Sequence, residues 1–179
     1  KSLSKSMSII NRTIIFFFSI FIFSMSFVSA EELKKIGKFK DWETLVLKKD
    51  NEIICFAQSK PVLQSPKGDK RDARLFVTFR PNEKISNEIS VTSGYEYNIQ
   101  NSVLARSGKK KYKFENILNN FAWINNKRND PTEVKMIKTM KKGSRLMIIG
   151  INNTGSETRD HYSLLGFTKA YNSAKKNCS

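Results

Sequence analysis

The chain has 179 residues, 39% of them hydrophobic, and its 32 Lys and Arg against 16 Asp and Glu give a formal charge of +16. That hydrophobic share is too high for a disordered basic tail, and the length suits one domain with a sizeable core. One His and two Cys are too few for a zinc finger or an iron–sulfur site, and no GxGxxG, Walker A, HExxH or GxSxG string occurs. No cofactor and no metal are therefore expected.

The N-terminus sets the expected compartment. Lys1, Lys5 and Arg12 precede an apolar run from Ile14 to Val28, broken only by Ser19, Ser24 and Ser26, and Val28-Ser29-Ala30 then leads into Glu31-Glu32. A positive stretch, an apolar stretch and small residues at −3 and −1 predict a secretory signal peptide over residues 1–30, cleaved after Ala30. A membrane anchor needs about 20 apolar residues, more than the run supplies. Met7 would open a tidier signal, and no Cys follows the run to carry a lipid. Cleavage removes three positive charges, leaving a domain over 31–179 at +13. The expected location is periplasmic or outer-membrane-associated, reached by the general secretory route. Cys55 and Cys178 are the only cysteines, and an even count in an oxidising compartment suggests a bridge.

Along the mature chain, most segments read as strands. Phe39–Leu47 alternates, with Trp42, Thr44 and Val46 on one face, and Glu52–Gln58 follows after a hairpin turn at Lys48–Asn51. Residues 59–72 carry Pro61, Pro66 and Gly68 among charges and read as a surface loop. Arg74–Arg80 places Leu75, Val77 and Phe79 on one face, and Glu88–Ser93 turns Ile89 and Val91 inward. Shorter strands are expected at Ser102–Arg106, Tyr112–Glu115 and Phe121–Asn125. Arg145–Ile151 is apolar on both faces and predicts a central strand covered on both sides. Thr158–Leu165 is the last strand.

Two segments carry helical signals. Asp130-Pro131-Thr132-Glu133 supplies an N-cap, a proline at N1 and a carboxylate at N3, with Val134, Ile137 and Met140 as the apolar side, Met136 broadening it, and Gly143 as the stop. Phe167, Ala170, Tyr171, Ala174 and Cys178 share one face of a C-terminal helix. Several short strands with two small helices predict an all-β fold, an antiparallel β-sandwich with a short internal helix and a C-terminal helix.

The same residues, taken in order, resemble the invasion-associated locus B family of exported bacterial proteins. The resemblance rests on Asp41-Trp42, on Cys55 leading into the loop with Pro61 and Pro66, and on Val77-Thr78-Phe79-Arg80-Pro81. It continues through Gly94-Tyr95, Ala122-Trp123, Met140-Lys141-Lys142-Gly143 and the run Thr158 to Ala170, with Cys178 closing the chain. It implies an immunoglobulin-like sandwich, an envelope location and a link to host-cell invasion in pathogens, and it brings no catalytic residues. Many members carry another Cys shortly after the tryptophan; here Glu43 to Ile54 contains none, which leaves Cys55–Cys178 as the only intramolecular pair.

Asp160-His161 and Ser163 are the residue types of a hydrolase triad, but catalytic triads converge from separate elements, and alternation in a strand sends Asp160 to the face opposite His161 and Ser163. Cys55, between Ile54 and Phe56 and outside any CxxC pair, lacks the setting of a reactive thiol. An envelope hydrolase or thiol-dependent enzyme is thus the alternative to a non-enzymatic interaction protein. Three basic clusters remain: Lys67, Lys70, Arg71 and Arg74; Lys109, Lys110, Lys111 and Lys113; and Lys138, Lys141, Lys142 and Arg145. Behind a signal peptide their expected partner is no nucleic acid but envelope material: anionic lipid, lipopolysaccharide or an outer-membrane protein.

Overall fold

A computed structural model describes residues 31–179 apart from 69, 126 and 128; the signal peptide expected over 1–30 lies outside the described residues. The strands, in chain order, are β1 (Glu32–Phe39), β2 (Trp42–Lys49), β3 (Glu52–Ser59), β4 (Leu63–Ser65), β5 (Arg74–Arg80) and β6 (Ile85–Thr92). They continue with β7 (Val103–Ser107), β8 (Lys110–Phe114), β9 (Asn116–Leu118), β10 (Phe121–Trp123), β11 (Arg145–Ile151) and β12 (Glu157–Ser163). Two helices complete the fold, α1 (Pro131–Lys142) and α2 (Phe167–Asn177).

All strand pairs are antiparallel, in two sheets: a seven-stranded one of order β1-β2-β3-β5-β6-β10-β9 and a five-stranded one of order β4-β12-β11-β7-β8. The inward faces of both sheets and both helices feed one cluster of buried residues, the all-β sandwich with two helices that the strand pattern implies. Register explains the core. Trp42, Ser59, Leu75, Val91 and Ala122 lie opposite one another on successive strands, as do Thr44, Ala57, Val77 and Ile89, and all of them are buried. A side-chain period of two puts every second residue of each strand into that wall.

Several expectations need correction. The strand expected over Phe39–Leu47 is two: a turn at Lys40–Asp41, with Lys40 at φ 56°, separates β2 from β1, an edge strand that pairs only with β2. The loop over 59–72 contains β4. β11 is central, as expected, but only one of its faces is covered: Leu146, Ile148 and Gly150 are buried, whereas Met147, Ile149 and Ile151 stay half-buried on the outside. Among the described residues no element packs over that face.

In α1, Asp130 accepts the Thr132 N–H at 2.6 Å, the expected cap. Gly143 ends the helix in an extended conformation, φ −87° and ψ 167°, with its N–H bonded to the Thr139 carbonyl. The buried face is rotated from the one expected: Glu133, Met136, Ile137 and Met140 face inward, and Val134 is 39% exposed. The cause is Glu133, whose carboxylate accepts the Ile89 N–H at 3.0 Å and so caps a β6 donor beyond the end of β10. α2 lies on the β2–β3 end of the large sheet, where the Thr44 hydroxyl donates to the Ala170 carbonyl at 2.9 Å. Its entry requires Gly166, at φ 90°, because a Cβ there would sit 1.7 Å from the Phe39 carbonyl oxygen. The sulfurs of Cys55 and Cys178 are bonded, with Cα atoms 5.8 Å apart, tying the end of α2 to β3.

Candidate anionic-surface site

The second and third basic clusters, some thirty positions apart in the chain, are neighbours in space. β8 forms the edge of the five-stranded sheet, and α1 lies against it: the Tyr112 hydroxyl is 2.7 Å from the Thr139 hydroxyl and donates to the Lys135 carbonyl at 3.3 Å. At the tip of the β7–β8 hairpin, the Ser107 hydroxyl donates to the Arg145 carbonyl at 2.9 Å. The β7–β8 hairpin thus brings Lys109 and Lys110 beside the α1 cations Lys135, Lys138 and Lys142 and beside Arg145, while Lys111 and Lys113, alternating with Tyr112, turn to the outer face of the sheet; all of these side chains are exposed. None of them takes part in an ion pair with a carboxylate among the described residues.

The outer face of the five-stranded sheet extends this surface. Lys111 lies opposite Arg106, Arg106 opposite Met147, and Met147 opposite His161; in the next row Lys113, Leu104, Ile149 and Arg159 follow one another. Cations at the β8 edge thus give way to half-buried aliphatic side chains at the centre. Arg106, Lys135 and Arg159 were absent from the clusters read along the sequence. Period-two alternation from Lys111 and Lys113, followed across the register, is the signal that finds Arg106. Arg159 differs from the rest in pairing with Glu157, at 2.7 Å.

Other candidates are placed elsewhere. Lys67 and Lys70 are exposed beside β4, the opposite edge of the same sheet from β8, so the first cluster is a separate region. Arg71 is no surface cation: its side chain is 10% exposed and grips the fully buried Asp160 with two nitrogens, at 2.7 and 3.1 Å. It also donates to the Ser93 carbonyl at 2.8 Å and lies over the Tyr95 ring, whose hydroxyl is 2.7 Å from that of Thr158. Gln64 donates to Asp160 as well, so this buried pair straps the 61–72 loop onto β12. Arg74 pairs with Asp72. Lys141 turns toward α2, its ammonium 3.9 Å from the centre of the Tyr171 ring; burial and the charge of Lys175 lower its pKa.

Asp160, His161 and Ser163 do not converge. Asp160 points into the core and is held by Arg71, His161 lies on the outer face of the sheet, and the Ser163 hydroxyl accepts the Leu165 N–H at 3.2 Å. Trp42, 1% exposed, donates its indole N–H to the Ser163 carbonyl at 2.9 Å and stacks edge-on against Phe167, a core role. Comparison with family models, with curated proteins and with solved structures gives no match for this chain.

Proposed function

We propose that the protein is an exported, non-enzymatic envelope protein of the invasion-associated locus B type, and that it works by holding to anionic envelope surfaces through the β7–β8 hairpin and α1. One observation carries this reading: two lysine clusters distant in sequence are brought side by side around the β8 edge, and none of their cations is paired with a carboxylate among the described residues. Near an anionic leaflet each such cation contributes about 1 kcal/mol, so several together support adhesion where one does not. The half-exposed Leu104, Met147 and Ile149 beside them suit contact with an amphiphilic surface. Export rests on the pattern of residues 1–30, and the family type on the ordered strings from Asp41-Trp42 to Cys178.

The test is cosedimentation of residues 31–179 with vesicles containing phosphatidylglycerol. Binding is expected at low salt and should weaken strongly toward 0.15 M, where the Debye length falls to about 8 Å. Lys109→Glu, Lys111→Glu and Lys138→Glu together should abolish it, while Lys67→Glu with Lys70→Glu should change it little. Binding insensitive to salt, or equal binding to neutral phosphatidylcholine vesicles, contradicts the proposal.

A further inference from the structure

Away from the basic face, a cleft of about 450 Å³ opens where the β9–β10 hairpin meets β5, β6 and the start of α1. Its floor and walls include Trp123, Asn116, Asn125, Arg80 and Glu88. Trp123 is the end of a run of half-buried rings on the solvent side of the seven-stranded sheet. Its ring centre is 5.7 Å from that of Phe121, which is 6.2 Å from Phe76, which is 6.0 Å from Phe56. Register fixes this placement: Phe76 and Trp123 both lie opposite Ser90, on the face away from the Leu75, Val91 and Ala122 core row.

The charges on the floor of the cleft, Arg80, Glu88 and Glu133, are met from within. Arg80 is bound by Glu88 at 2.5 Å and lies 3.1 Å from Glu83, and the Glu133 carboxylate is turned to the Ile89 N–H. What remains free to meet a ligand is an indole face, a strip of phenyl rings, amides and, at the rim, the exposed Lys127, which has no ion-pair partner among the described residues; the Asn116 side chain makes no hydrogen bond among the described residues. A phosphate-bearing ligand calls for several converging cations, where this cleft offers the single Lys127 at its rim, and a lipid tail calls for an enclosed apolar channel; this cleft is open and mixed. Flat apolar platforms next to amide and carboxylate groups suit a molecule whose rings are apolar on their faces and hydroxylated at their rims.

We infer that this cleft and its aromatic strip form a binding site for a neutral oligosaccharide of pyranose units, one ring seated on Trp123 and the next toward Phe121 and Phe76. The inference does not rest on the anionic-surface reading, since it uses a different face and an uncharged ligand.

Tryptophan fluorescence tests it directly. Of the two tryptophans, Trp42 is 1% exposed and Trp123 lines the cleft, so a ligand-dependent change in emission reports on Trp123. The probes are the tetramers of glucose in β-1,4 and α-1,4 linkage and of N-acetylglucosamine, titrated in 0.15 M salt to screen the basic face. At least one should shift the emission saturably, and its tetramer should bind more tightly than its monomer. By calorimetry, Trp123→Ala should weaken that binding roughly tenfold, Asn116→Ala should weaken it measurably, and Trp123→Phe, which keeps a ring, should restore most of it. The inference is overturned if no tetramer binds at millimolar concentration, if Trp123→Ala and Asn116→Ala leave affinity unchanged, or if only an apolar peptide shifts the emission. Binding lost in the Lys109→Glu, Lys111→Glu, Lys138→Glu variant overturns it too, because the sugar would then sit on the basic face.

Discussion

Reducing the Cys55–Cys178 bond is expected to lower stability far more than the loss of local contacts suggests. The bond joins residues 123 positions apart, so it removes conformations from most of the unfolded chain over 31–179. In the chain-entropy account, a loop of that length corresponds to about 5 kcal/mol at 25 °C, as an upper value. For a domain near 150 residues each kcal/mol moves the melting temperature by about 2–4 °C, so reduction should lower it by roughly 10–20 °C. The folded state should change little meanwhile. α2 keeps Phe167, Ala170, Tyr171 and Ala174 buried and its Thr44–Ala170 hydrogen bond whether or not the sulfurs are joined. The assay is thermal unfolding by circular dichroism of residues 31–179, oxidised, reduced, and as the Cys55→Ala, Cys178→Ala double variant. The reduced protein and the variant should agree within a few degrees and share a native-like spectrum at 25 °C. A melting temperature unmoved by reduction would refute the reasoning, as would two thiols titrated in the unfolded, unreduced chain.

Two further outcomes follow from buried charge. Arg71→Ala leaves the Asp160 carboxylate without its bidentate partner in a site of zero exposure and should cost about 3–5 kcal/mol in denaturant unfolding; Arg71→Met with Asp160→Asn should cost much less than the sum of the two single changes. Glu133, whose pKa burial pushes up to about 7 from 4.5, holds its proton in the folded state after the unfolded chain has released it. Its contribution to stability is therefore complete below pH 4.5 and falls as the pH rises toward and past 7, by roughly 1–3 kcal/mol in all. Glu133→Gln, which keeps an acceptor for the Ile89 N–H, should flatten that part of the pH–stability curve; a slope unchanged in the variant would contradict the assignment.

Strands that face a single core were legible in the sequence because burial writes itself as alternation: Leu75, Val77 and Phe79 give the limits of β5 directly. β1 escaped because, at a sheet edge with most of its residues exposed, Glu32–Phe39 carries no such alternation. The rotated face of α1 escaped for a chemical reason, since a glutamate fills an inward position to satisfy a backbone donor of another element. Charge misled at Arg71, where three cations nearby in sequence suggested a solvated cluster and the partner that buries it lies 89 residues away. The convergence of Lys109–Lys113 with Lys135–Lys142 depends on β8 docking against α1, and the cleft at Trp123 gathers residues from four strands. Neither arrangement leaves a local signature in the chain.

The position of α2 bears on how this chain reaches its folded state. Its last helix packs on β2 and β3, its entry glycine fits against the Phe39 carbonyl, and its final turn is bonded to Cys55. The earliest strands thus lack their inner cover until the last dozen residues arrive, and the contacts that close the core are among the longest in sequence. Such non-local closure is slow, because the entropy of the intervening loop is lost before any contact rewards it. Under the export proposed above, in which the chain would be threaded N-terminus first through a narrow translocation channel, that delay would keep the emerging segments unfolded during the passage and make folding wait for release.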